Sequence, residues 1–196
     1  MRLVILSGRS GSGKSTALQA LEDLGFYCID NLPVGLLPAL LEQFQQQPME
    51  EKSGIAISID ARNTSLGLAQ FPSIFTRLIK PFVECDILYL DATPNTLLKR
   101  FSATRRRHPL SDGDKGLTQA IELERQLLEP IANLADLTID TTRLSLYELR
   151  DIIKLRVAGR SNQELALQFQ SFGFKHGVPL DADLVYDVRC LPNPYW

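Results

Sequence analysis

The strongest constraint on the fold of this chain is the stretch Gly8-Arg9-Ser10-Gly11-Ser12-Gly13-Lys14-Ser15, which matches G-x-x-x-x-G-K-[ST] without a departure. That pattern is the loop whose backbone N–H groups surround the phosphates of a nucleotide. Gly8, Gly11 and Gly13 allow backbone angles closed to other residues and let oxygen atoms approach the main chain. Lys14 brings a compact positive charge to the outer phosphates, and the Ser15 hydroxyl is the expected protein ligand for Mg²⁺. Leu3-Val4-Ile5-Leu6 before the loop reads as a buried parallel strand, and Ala17, Leu18, Leu21 and Leu24 after it fall at helical spacing. The phosphates are therefore expected at a helix N-terminus, where unpaired N–H groups and the dipole favour anions. The plain alternative is a Gly/Ser-rich turn that happens to contain a lysine, and the strand–loop–helix context argues against it. The motif indicates a nucleoside triphosphate with Mg²⁺. It specifies neither the base nor the fate of the phosphate.

The 196 residues suit one domain with a remnant. A net charge of −2 gives no global attraction to nucleic acid or to a membrane, so any such binding must come from a local patch. Cys28, Cys85 and Cys190 are widely spaced, without a C-x-x-C pair, and read as reduced thiols of a cytoplasmic protein. The short apolar run after Met1 is no signal peptide, and no apolar stretch approaches the roughly 20 residues needed to span a bilayer.

Along the chain, strands and helices alternate. Phe26-Tyr27-Cys28-Ile29 is a short second strand ending at Asp30, which either orients a substrate hydroxyl or water or serves as the turn or cap residue of the next helix. Leu36, Leu37, Leu40, Leu41 and Phe44 form an amphipathic helix, ended by the polar Gln45-Gln46-Gln47-Pro48. Ile55, Ile57 and Ile59 belong to a third strand ending at Asp60, and Ile87-Leu88-Tyr89-Leu90 to a fourth ending at Asp91. Both aspartates compete for the role of the Mg²⁺-side carboxylate, against a turn role for Asp60. Between these strands, Phe71, Ile74, Phe75, Leu78 and Ile79 fit a helix closed by Pro81.

A helix begun by Leu97, Leu98 and Phe101 runs into the most basic part of the chain, Lys99-Arg100 and then Arg105-Arg106-Arg107-His108. This is a solvated helix face or, with the turn-rich Pro109 to Asp114, a mobile lid carrying arginines onto phosphates; an RNA-contacting patch is a third reading. A helix from about Thr118 to Leu134, the strand Leu137-Thr138-Ile139 and a last helix with Leu146, Leu149, Ile152, Ile153 and Leu155 close an α/β domain near residue 155. The expected product is a five-stranded parallel sheet between helices. Residues 156–170 read as a linker, and 171–196 as the start of a second α/β domain too short to bury its own core.

Several stretches together resemble the RapZ/YvcJ family of bacterial nucleotide-binding proteins: residues 8–15, FYCIDNLP at 26–33, Asp60-Ala61-Arg62-Asn63, RRRHPL at 105–110, SFGFKHG at 171–177 and DADLVYDVRCLPNP at 181–194. The resemblance covers nearly the whole chain. It implies a kinase-like phosphate-loop domain that binds ATP and GTP with at most weak hydrolysis. Residues 8–15 then match the ATP-contacting loop, and Asp60, Ala61, Arg62 and Asn63 the stretch assigned to GTP. It further implies an RNase adaptor that binds small regulatory RNA and senses an amino-sugar phosphate. Members continue for most of another domain, with a basic tail that carries RNA binding, so those partners are implied for the longer form.

The competing function is a small-molecule kinase, with Asp30 orienting the acceptor hydroxyl and Arg105, Arg106 and Arg107 as lid arginines. A switch GTPase is disfavoured, since no N-K-x-D segment occurs. Homo-oligomer formation is left open by the sequence.

Overall fold

The structure is a computed structural model that describes residues 2–46, 53–111, 116–158, 171–179, 182 and 184–192. Five parallel strands, β1 (Arg2–Gly8), β2 (Phe26–Ile29), β3 (Gly54–Ile59), β4 (Glu84–Asp91) and β5 (Leu137–Asp140), form one sheet in the order β2-β3-β1-β4-β5. Strand β3 is buried at every position, as a central parallel strand covered on both faces must be.

The register decides which residues share a face. Val4 pairs with Ala56 on one side and Asp86 on the other, so even-numbered residues of β1, β3 and β4 point one way and odd-numbered residues the other. On the odd face Leu3, Ile5, Ile57, Ile59 and Ile87 pack against α2 (Leu37–Gln46), α3 (Ser65–Ile74) and α5 (Leu117–Ala132). On the even face Val4, Leu6, Ala56, Leu88 and Leu90 pack against α1 (Lys14–Asp23) and α6 (Leu146–Ala158). Each fully buried Leu or Ile here contributes about 1.5–3 kcal/mol by removal from water. Helix α4 (Pro94–Thr104) sets Leu97 against Ala92 and Ile121 in a small third cluster at the carboxyl edge of the sheet.

Two boundaries differ from expectation. Helix α3 begins well before Phe71, capped by Thr64, whose Oγ1 accepts the Gly67 N–H, and it runs into a π-helical turn, Phe75–Ile79. Helix α6 continues through Ala158, into the stretch read as linker, because Val157 is buried on its inner face and its carbonyl accepts Nη1 of Arg2 at 2.7 Å. Residues 159–170, the Gln47-Pro48 connection and the turn from Asp112 to Asp114 lie outside the described residues. The described part of 171–192 holds one 3₁₀ turn, Phe174–His176, and no strand; the Arg189 guanidinium lies 4.2 Å from the Phe174 ring centroid. Among the described residues no helix is long and apolar enough to cross a membrane.

Candidate functional site

The loop between β1 and α1 is shaped by close approaches that only glycine permits. Gly8 has φ 142°, and a Cβ there would sit 2.0 Å from the Leu90 carbonyl oxygen. Gly13, at φ 106°, starts α1 from the left-handed region. The Lys14 ammonium donates to the carbonyls of Gly8 (2.7 Å) and Arg9 (3.1 Å). Burial lowers its pKa, while the charges of Glu124 and Asp60 oppose that shift. Arg100 donates from Nη1 to Gly11 O, and Thr141 Oγ1 donates to Ser12 O, both at 2.9 Å. Because a peptide's C=O and N–H point in opposite directions, fixing the Ser12 carbonyl on Thr141 turns the Gly13 N–H the other way. It joins the first-turn N–H groups of α1 that precede the first helical bond, Ala17 N to Gly13 O.

Loop and first turn line a cleft of about 690 Å³. Its other walls are Asp30, Asp60 and Arg62 at the ends of β2 and β3, Arg100, Arg106 and Arg107 from and beyond α4, and Thr141, Leu144, Ser145, Leu146 and Leu149 around the start of α6. Ser145 and Glu148 cap that helix reciprocally, each side chain accepting the other's N–H.

The rival aspartates fall on opposite faces. Asp60 is even-numbered, faces α1 and lines the cleft. Asp91 is odd-numbered, and its Oδ1 accepts Nε of Arg9 at 2.6 Å outside the cleft lining. Arg9 is itself only 4% exposed, which makes this residue of the motif a structural tie. Asp60 does shape its own turn, accepting the Arg62 N–H at 2.9 Å, but it also takes the Arg62 guanidinium on both oxygens. Burial pushes its carboxyl up, and the Arg62 bonds with the Lys14 charge outweigh that, leaving the pKa below its ordinary value.

Asp30 caps no helix. The next turn is a 3₁₀ helix, Val34–Leu36, entered from Pro33, while Asp30 accepts from Ser58 Oγ and from Arg62 Nη2 (3.4 Å). Ala61 is buried, and Asn63 laces the β2 and β3 loops by accepting the Val34 N–H and donating to Leu32 O. Arg105 is the C-cap of α4 at φ 52° and is not among the cleft-lining residues, unlike Arg106 and Arg107. Ser15 is exposed at the cleft, and Ser12 Oγ is buried there without a hydrogen-bond partner among the described residues.

Sequence reasoning missed Thr141, the contacts of Arg100, and a buried pair, His108 and Glu124. Glu124 accepts from Ser10 N (2.8 Å), Ser10 Oγ (2.6 Å) and His108 Nε2 (3.0 Å). Burial raises its pKa, but the bonds from His108 and Ser10 and the Lys14 charge bring it below the ordinary value. A readable signal existed: Glu124 sits in the apolar stripe Ala120, Ile121, Leu128, Ile131 of α5, where a carboxylate needs donors.

Among the described residues no cluster of three or more His, Cys, Asp or Glu could hold a metal alone. Mg²⁺ does not need one, since it usually keeps waters and takes one or two protein oxygens beside the phosphates.

A parallel sheet with a phosphate loop leading from its central strand into a helix, and a carboxylate at the end of the neighbouring strand, defines a kinase-like phosphate-loop domain. Solved structures agree on the fold: shikimate kinase from Acinetobacter baumannii with shikimate (TM-score 0.52, 16% identity, 82% of this chain, 95% of that one), and an unliganded sugar kinase from Janibacter (TM-score 0.54, 17% identity, 81% and 95%). The chain belongs to the RapZ-like family: the RapZ-like N-terminal domain is matched by residues 1–161 and the RapZ C-terminal domain by residues 165–196. Relatives named nucleotide-binding protein share 63% identity over 197 residues in Marinobacter nauticus and 60% over 196 in Hahella chejuensis. Both alignments take in 100% of this chain, and 67% and 68% of the respective relatives.

Proposed function

We propose that the cleft binds a nucleoside triphosphate, ATP or GTP, with Mg²⁺, and that the protein is regulatory, with at most weak hydrolysis. The observation that carries this is the loop itself: a glycine-built cradle at the N-terminus of α1 whose cleft is also lined by Lys14 and Asp60, with a Ser12 hydroxyl that has no partner among the described residues. The loop N–H groups and Lys14 would hold the phosphates, and Ser15 with Asp60 the ion. Bound Mg²⁺ would neutralise phosphate charge. Arg106 and Arg107 would meet the phosphates from the opposite wall. The name of the relatives supports the nucleotide. The adaptor role, with small regulatory RNA, an RNase and an amino-sugar phosphate as partners, is supported by the family resemblance, and residues 171–196 would begin the domain that serves it.

Calorimetric titration with Mg²⁺–ATP and Mg²⁺–GTP tests the reading. Lys14→Ala should weaken binding by at least about thirtyfold, the size of a lost charge-assisted contact. Unchanged affinity would remove the loop from the site. A second reading, phosphoryl transfer to a hydroxyl acceptor, is favoured by Asp30, which lines the cleft and whose charge acts on Lys14. ATP turnover that rises with an added sugar or nucleoside, and is lost in Asp30→Asn, would support it.

A further inference from the structure

Ser10 belongs to the phosphate loop and His108 to the segment carrying Arg106 and Arg107, yet both end on one buried carboxylate. Oε2 of Glu124 faces the Ser10 N–H and His108 Nε2, while Oε1 accepts the Ser10 hydroxyl. The side chains of His108 and Glu124 are both 0% exposed. The Leu110 N–H donates to His108 Nδ1 at 3.1 Å, so a neutral ring carries its proton on Nε2 and donates it to Glu124. An apolar route runs beside the polar one. The His108 ring lies 5.1 Å from the Phe101 ring, and Phe101 packs beneath Gly11, where a Cβ would sit 3.5 Å from Cε2.

We propose that Glu124 is a positioning residue that fixes the phosphate loop and the arginine segment to one point, so that loop shape and the set of Arg106 and Arg107 over the cleft change together. A carboxylate this deeply buried tolerates the loss of a donor poorly, since nothing solvates the oxygen left behind. Moving the arginine segment withdraws His108, and the loop must then adjust to satisfy Glu124. The reverse holds equally, because coupling between two sites is reciprocal. The Ser10 N–H, committed to Glu124, is turned away from any phosphate. The ligand rests on the nucleotide reading above; the coupling does not.

Hydrogen exchange of the nucleotide-free 196-residue chain tests the coupling from both ends. Ser10→Ala should speed exchange in residues 105–111 by roughly tenfold, and His108→Ala should do the same in residues 9–13, with β3 and β4 unchanged. If each substitution loosens only its own segment, the proposal fails. His108→Gln, whose amide can still donate to Glu124, should return much of the loop protection; a result equal to His108→Ala would also overturn it. Should His108→Ala not fold, the Ser10→Ala arm decides alone: faster exchange in residues 105–111 supports the coupling, and exchange changed only around Ser10 overturns it. With Mg²⁺–ATP, Arg106→Ala should cost a smaller factor on the His108→Ala background than on the wild type, and equal factors would contradict the coupling. A wild type that binds no ATP sinks the nucleotide reading and leaves the exchange result standing.

Discussion

Strands β3 and β4 flank β1 on its two sides and run out into the same dipeptide, Asp60-Ala61 and Asp91-Ala92. Both alanines are 3% exposed, yet the aspartates do opposite things. Asp60 follows Ile59, which pairs with Ser7, and lines the cleft with Arg62. Asp91 follows Leu90, which pairs with Gly8 one residue further along β1, and it holds Arg9. A shift of one residue exchanges the faces of a strand, so identical local sequence gives one carboxylate to the cleft and one to the framework. The β4 end is the fixed wall and the β3 end the working one.

The largest effect should come from breaking the fixed wall. Gly8→Ala forces a Cβ to 2.0 Å from Leu90 O, a backbone atom that cannot yield without parting β1 from β4. A loss of about 4 kcal/mol or more, or failure to fold, is expected in urea unfolding. Gly13→Ala, whose Cβ meets the movable Cδ2 of Leu149 at 2.6 Å, should cost less, about 1–3 kcal/mol.

Next is the pair of aspartates. Asp91→Ala leaves Arg9, 4% exposed, without its carboxylate, and should lower stability by about 2–3 kcal/mol. Asp60→Ala releases Arg62, already 46% exposed, and should cost under about 1 kcal/mol while weakening Mg²⁺–nucleotide binding by roughly tenfold. Urea unfolding and calorimetry on the same two variants check both. If Asp91→Ala, in its folded fraction, cost more affinity than Asp60→Ala, the division between the walls would be wrong.

That division marks where the sequence stops being legible. The loop, the strands and most helices were readable because their signals are local: glycines at fixed spacing, apolar runs, and stripes at helical period. Choosing between Asp60 and Asp91 requires the pairing register, which neither strand carries alone. Arg100 and Thr141 reach the loop from α4 and the end of β5, and His108, after α4, reaches it only through Glu124; these contacts exist only once those elements fold over it. Val157 was legible: it continues the spacing Leu149, Ile153 on the buried side of α6, into the stretch 156–170 read as a linker.

Acid should separate the walls more gently. Asp60 and Glu124 both have pKa values below the ordinary carboxylate range. Each is therefore harder to protonate folded than unfolded, and contributes stability that is complete above the unfolded value, near pH 4, and is lost as pH falls through the lower folded one. Urea midpoints between about pH 5 and 2 should decline in the wild type, and less steeply in Asp60→Asn. Equal slopes would mean that Asp60 has no special tie to Arg62 in solution.

The smallest effect sharpens the working wall. Ser58 is fully buried on β3 and even-numbered like Asp60; its hydroxyl donates to Asp30 and accepts the Asn31 N–H at 2.8 Å. That N–H belongs to a residue at φ 51°, which the hydroxyl helps to hold. Ser58→Ala removes both bonds and should cost about 1 kcal/mol. If Asp30 serves only to steady the β2 turn, nucleotide affinity should stay within about twofold, since Lys14, Ser15 and Asp60 are untouched. A loss nearer tenfold would mean that Asp30, held by Ser58 and Arg62, is part of what the cleft presents to its ligand. The working wall would then extend across two strand ends, and the acceptor reading of Asp30 would gain its first functional support.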